Sequence, residues 1–138
     1  MRRQDRFPDT AIFRFENLNP KKRVTADCVV RAISKATGWS WEKTLKELVA
    51  FSLESGFMVN DTKCYDRFLK KKKWLPLGQP RKANGTKYTV KEFIALHPKG
   101  TYLVNMAEHL TAVIDGVNYD IWDCTKVNKR VGKVWQKP

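Results

Sequence analysis

From residue 28 onward the apolar positions recur every three or four residues, and after residue 100 they recur every two. Val29, Ala32, Ile33 and Ala36 fall on one side of a 3.6-residue period. Thr25 or Asp27 supplies the cap for that helix and Gly38 closes it. A second helix opens at Ser40 with Glu42 in its first turn. Trp41, Leu45, Leu48, Val49 and Leu53 are its predicted core face, and Gly56 is its stop. A third runs from Asn60 or Asp61 to the lysine cluster at 70–73, burying Tyr65, Phe68 and Leu69. Thr89 and Glu92 are spaced as a capping box for a short helix ending near His97.

The second half alternates instead. Residues 101–106, 109–114, 118–123 and 131–135 are predicted strands, and Asp115-Gly116 is the strongest hairpin signal in the chain. Residues 11–17 alternate well enough for one early strand, while 18–24 and 77–85 are polar, turn-rich loops. Helices come first and an antiparallel sheet follows, which predicts an α+β fold. With no repeat or long linker, residues 1–138 are expected to form a single domain.

Composition narrows the class. Apolar residues make up 42% of the chain, enough for a packed core, and no 18-residue apolar run exists to span a membrane. The opening "MRRQDRFPDT" has no apolar stretch behind its charges, so no signal peptide is expected and the expected location is the cytoplasm. Cys28, Cys64 and Cys124 are too few and too scattered for a disulfide framework or a structural zinc site, which leaves reduced thiols.

Charge adds a question about partners. Lys and Arg number 27 against 14 Asp and Glu, a net charge of +13. Basic clusters at 21–23, 70–73, 81–82 and 129–130 would attract an acidic partner, anionic lipid or nucleic acid. No helix-turn-helix, RNP-type or zinc-finger pattern accompanies them, so nucleic acid is not the favoured partner.

The candidate chemistry lies in one cysteine and one hairpin. With the cap at Thr25, Cys28 sits in the first helical turn, where unpaired N–H groups and the helix dipole favour thiolate. Its own N–H is placed to help hold an oxyanion. His109 opens a strand, so its imidazole stands at the edge of the sheet and can act as a base; His97, in a turn after a helix, is a charge for that helix end. A base needs a third group to fix its ring. A two-residue Asp115-Gly116 loop sets Ile114 opposite Val117 and puts Asp120 on the face of His109. A three-residue loop makes Asp123 the diagonal neighbour, and the residues alone leave both registers open.

"TADCVVRAISKATG", followed much later by "HLTAVIDGVNYDIWD", resembles a papain-like cysteine peptidase of the small phage and prophage kind, similar in order to the leader peptidases of bacteriocin exporters. The resemblance spans about residues 12 to 135. It implies a papain-like fold, with the nucleophile at the start of the first helix and N-terminal helices packed on a C-terminal antiparallel sheet. It also implies a Cys28–His109–Asp123 triad, preferring Asp123 to Asp120. Such enzymes carry a glutamine about six residues before the cysteine; Lys22 stands there, and Asn19 is the nearest amide that could complete the oxyanion hole.

The expected activity is therefore thiol hydrolysis of a polypeptide, through a thioester and without metal or organic cofactor, and the basic surface points to an acidic substrate or partner. Amidase or acyl-transfer chemistry would use the same groups. The competing reading is an inactive papain-like scaffold serving as a basic module for nucleic acid or protein.

Overall fold

The computed structural model describes residues 1–126 and 128–138. In chain order its elements are α1 (Arg3–Arg6), β1 (Phe13–Phe15), α2 (Cys28–Thr37), α3 (Trp41–Ser55), α4 (Thr62–Lys71), β2 (Leu75–Gly78), α5 (Val90–Leu96), β3 (Thr101–Met106), β4 (His109–Ile114), β5 (Val117–Asp120) and β6 (Val134–Gln136). The α+β class is as the periodicities predict. No described helix is long and apolar enough to cross a membrane.

Asp27 is the residue before α2, and Gly38 ends that helix in the left-handed conformation, φ 78°, donating its N–H to Ser34 O. Val29, Ala32, Ile33 and Ala36 are all buried. Ser40 caps α3 through the Lys43 N–H, and Gly56 closes it. The core face of α3 differs from the expectation. Thr44 and Leu48 are buried, with Trp41, Leu45 and Phe51 packed against the same core, whereas Val49 and Leu53 are 42% and 82% exposed. Thr44, Leu48 and Phe51 make one stripe at helical spacing, and Val49 lies about 100° around from Leu48. α4 buries Tyr65, Phe68 and Leu69 as predicted, and the Thr89–Glu92 capping box on α5 is complete.

The sheet is mixed rather than purely antiparallel, in the order β1-β5-β4-β3-β6-β2. β1 runs parallel to β5, Phe13 pairing with Asn118 and Phe15 with Asp120, and the other pairings are antiparallel. β2 lies inside the stretch around "LPLG", where the expectation was loop from residue 77. It is an exposed edge strand carrying Pro76, with a bulge against β6. A proline suits an edge, where one side of the backbone has no partner.

Two cores flank this sheet. One gathers α2, α3 and α4 around Leu103, Leu110, Ala112 and Trp135. The other packs α5 against Tyr102, Val104, Val113 and Val134. Because α2 packs across β4, the first residue of the helix arrives beside the first residue of the strand.

Candidate active site

The hairpin register decides the third group. Asp115 and Gly116 form a two-residue loop, with φ 48° and 76°, and Ile114 pairs with Val117, Val113 with Asn118 and Ala112 with Tyr119. Positive φ at both loop positions is the turn that matches the twist of the flanking strands. Asp120 thus comes onto the histidine's side, one diagonal step away. His109 Nε2 and Asp120 Oδ2 are 2.6 Å apart. The remaining ring nitrogen makes no hydrogen bond to a described residue, and Cys28 borders the same two hollows as His109, near enough for thiol and imidazole to shift each other's protonation.

Asp123 does not take this place. β5 ends at Asp120, and the chain bends at Ile121 and Trp122, carrying Asp123 into its own turn. There Oδ1 accepts from the Thr125 N–H at 2.9 Å and from the Thr125 hydroxyl, and Oδ2 is buried without a partner. The aspartate implied by the resemblance is replaced by the one that the simplest hairpin register selects.

Asp120 sits at the centre of a buried network. Its Oδ2 also accepts from Thr111 Oγ1 at 2.7 Å, and Oδ1 accepts from the Ile121 N–H at 2.7 Å and from Arg31 Nη1 at 2.9 Å. Arg31 reaches back with Nε to Asp27 Oδ1 at 2.8 Å. Asp27 Oδ2 takes the Trp41 indole N–H at 3.0 Å and the Asn19 amide at 3.1 Å. This explains why Asp27, though it precedes α2, makes no side-chain cap bond: both its oxygens are spoken for.

The charges move accordingly. Burial disfavours imidazolium at His109, but Asp120 and Cys28 outweigh it and raise the group to about 9. Burial would raise Asp120; His109, Arg31 and Thr111 instead bring it down to about 2. Burial likewise pushes the Cys28 thiol up, yet His109, the Leu110 backbone and the field of Arg31 leave it below its ordinary value. Cys64 and Cys124 go the other way: burial raises both thiols, and the neighbouring Asp120 carboxylate lifts Cys124 further. Of the three cysteines, only Cys28 is partly exposed and favoured as thiolate.

Asn19 is not placed as the expected oxyanion donor. It is buried, its amide donates to Asp27, its oxygen accepts from the Lys21 N–H, and it borders neither of the hollows that Cys28 shares with His109. Asn60 does border both, with its amide donating to Ala26 O at 3.0 Å. The Cys28 N–H, at the first position of α2, has no acceptor within the helix and remains as a donor. His97 ends α5, its Nδ1 against Phe93 O and its ring stacked on Phe93, away from this site.

Sequence reasoning missed Arg31, although a signal for it existed. An arginine three residues after the nucleophile shares its helical face, in a segment otherwise apolar on that side. His109, Asp120 and Cys124 have donor atoms within 4.8 Å of one another, a spacing that can suit a metal ion. A cation there would compete with the Arg31 guanidinium and His109, which already occupy both oxygens of Asp120. Compared with known protein families, curated proteins and solved structures, the chain matches none.

Proposed function

We propose that this protein is a thiol hydrolase, acting on polypeptides as a peptidase or isopeptidase, with Cys28 as nucleophile, His109 as base and Asp120 as the orienting acid. The observation that carries the reading is the 2.6 Å contact between His109 Nε2 and Asp120, with a thiol at a helix start bordering the same two hollows as that imidazole.

The Cys28 proton passes to His109, and the resulting thiolate–imidazolium pair is held by Asp120 and by the field of Arg31. The thiolate attacks a carbonyl carbon, and the oxyanion formed is met by the Cys28 N–H. His109 then gives its proton to the leaving amine as the C–N bond breaks, leaving a thioester. A water molecule, deprotonated by His109, attacks the thioester; the acid departs and the thiol is restored. The papain-like arrangement and the polypeptide substrate belong to this proposal; the fold itself is α+β with a mixed sheet.

Iodoacetamide tests it. A free thiol loses reactivity about tenfold for each pH unit below ~8.5. Cys28 should instead decline later and keep reacting below the pH at which a free thiol fades, and His109→Ala should restore the ordinary decline. A Cys28 rate that falls like that of a free thiol in the parent protein refutes the reading.

A further inference from the structure

Two hollows flank the Cys28–His109 pair, of about 220 and 310 Å³. Glu108 borders both. In the larger it faces apolar walls from Val24, Ile121 and Trp122, together with Arg3. In the smaller, walled by Val29, Thr62, Tyr65 and Asn105, it is the one carboxylate among the lining residues, and no lysine or arginine borders it; the His109 imidazolium there is already held by Asp120.

Three observations single Glu108 out. It is exposed and forms no ion pair with any described residue, in a chain where Lys and Arg exceed Asp and Glu by 27 to 14. Glu47, Glu54 and Glu92 find a cation here, and the exposed Asp9, Asp61 and Asp115 accept backbone N–H bonds instead, so that among the described exposed carboxylates Glu108 shares with Glu42 the lack of either kind of partner. Its backbone is left-handed, φ 56°, in the two-residue loop joining Met106 to its paired partner His109. That conformation costs an L-residue about 1 kcal/mol, and glycine would adopt it freely. Lys22, Lys73 and Asp115 also have positive φ, but of these four residues Glu108 is the one that borders the Cys28–His109 hollows, and strain beside a site is what raises the question of a function. Finally, the loop sets this carboxylate directly before the base, at the mouth of the smaller hollow.

We infer that the smaller hollow is a subsite for a cationic side chain, lysine or arginine, next to the carbonyl that Cys28 attacks. Val29 and Tyr65 offer apolar surface to the aliphatic stem, and Glu108 meets the charged head. The positive net charge of the whole chain does not govern this point, because a local carboxylate acts within the ~8 Å over which physiological salt leaves fields unscreened. The inference rests on the Cys28–His109 reading and goes one step beyond it, to the class of substrate.

Charged thiol reagents test it on the intact protein. Cationic trimethylammonioethyl and anionic sulfonatoethyl methanethiosulfonates each transfer an alkylthio group to the Cys28 thiolate, forming a disulfide and releasing methanesulfinate. Rates at pH 6 are read by mass spectrometry, with the neutral methyl reagent as control. Glu108→Gln should lower the cationic-to-anionic rate ratio about fivefold, a comparison within one protein that cancels any change in its neutral rate. Glu108→Gly, which relieves the turn, should lower the ratio as much, and 1 M salt should bring the parent ratio toward that of the variants. A peptide vinyl sulfone with lysine beside the electrophile should inactivate the parent faster than its glutamate counterpart. A ratio unmoved in both variants, or an equal or reversed order for the two vinyl sulfones, overturns the subsite while leaving the thiolate reading intact. Loss of all Cys28 reactivity at pH 6 in the parent would instead strike the thiolate reading and take the subsite with it.

Discussion

Replacing Arg31 with methionine keeps the volume and removes the cation between two buried carboxylates. The arginine and both aspartates are about nine-tenths or more shielded, with side-chain exposures of 7%, 7% and 2% for Arg31, Asp27 and Asp120. Removing one partner of such a pair costs ~3–5 kcal/mol, because the charge left behind has no water to turn to. Here the abandoned groups keep other donors. Asp120 retains His109, Thr111 and the Ile121 N–H, and Asp27 retains Trp41 and Asn19. The loss should therefore sit near the low end, at ~3 kcal/mol, or roughly a 10 °C fall in Tm for a domain of this size.

The pH dependence is the sharper readout. Without its cation the buried Asp120 carboxyl is held down less than in the parent, so the stability that the pairing adds above the ordinary carboxylate range is lost at neutral pH and matters less in acid. Thermal unfolding of the parent and Arg31→Met at pH 4 and pH 7 should show a gap that widens toward neutrality. Arg31→Lys, which restores charge without the two-armed guanidinium, should recover part of the neutral-pH loss. The Cys28 alkylation profile should move to higher pH in the methionine variant, since Arg31 helps hold the thiolate. A Tm within 3 °C of the parent, or a gap equal at both pH values, would refute the account of Arg31 as the counter-charge.

Asp120→Asn should shift Cys28 alkylation toward that of a free thiol and cut any hydrolytic rate by roughly 1000-fold or more, whereas Asp123→Asn should leave the alkylation profile in place and cost only the local Thr125 bonds, ~1 kcal/mol by denaturant unfolding. The folded pKa of His109 is raised, so its contribution is fully present below the unfolded value near ~6.5 and is lost as pH rises toward about 9. Asp120 is depressed, so its share is present above its ordinary value and lost as pH falls toward about 2. Cys28, held below its ordinary value, works in the opposite sense above neutrality, so the test is made in Cys28→Ser: its denaturant midpoints should be highest between ~4 and ~6.5 and decline toward pH 9; a flat profile across that upper range, matching Cys28→Ser with His109→Gln, would contradict the His109–Asp120 pairing.

Much of this architecture was legible because local chemistry and tertiary packing agree. The α2 stripe, the Ser40 cap, the Thr89–Glu92 box and the Asp115-Gly116 turn each follow from spacing or from a residue suited to one conformation. Illegible features had no such local mark. The face of α3 rotates to follow Thr44, a polar residue whose hydroxyl is satisfied by Ser40 O and so can be buried in place of Val49. β2 carries a proline and four exposed residues, and only its pairing with β6 makes it a strand. The parallel seat of β1 beside β5 depends on a contact between residues about a hundred positions apart. For the site, the turn type contained the answer: two residues with positive φ put Asp120, not Asp123, beside His109.

The buried line of groups from Asp27 through Arg31, Asp120 and His109 to Cys28 alternates in sign: carboxylate, guanidinium, carboxylate, imidazolium, thiolate. Such a line is a poor way to hold a fold together, since apolar side chains of the same volume avoid the desolvation of every charge in it. What it does achieve is a fixed field. Each group is satisfied by its neighbour and cannot turn to face anything else, and the members that border open space are the imidazole and the thiolate at the end. The anchoring of α2 and the activation of its first residue are then one device. The helix start is held by the aspartate that would ordinarily cap it, and that aspartate is spent instead on the arginine that steadies the acid behind the base. A plain structural helix would have used its cap on its own backbone.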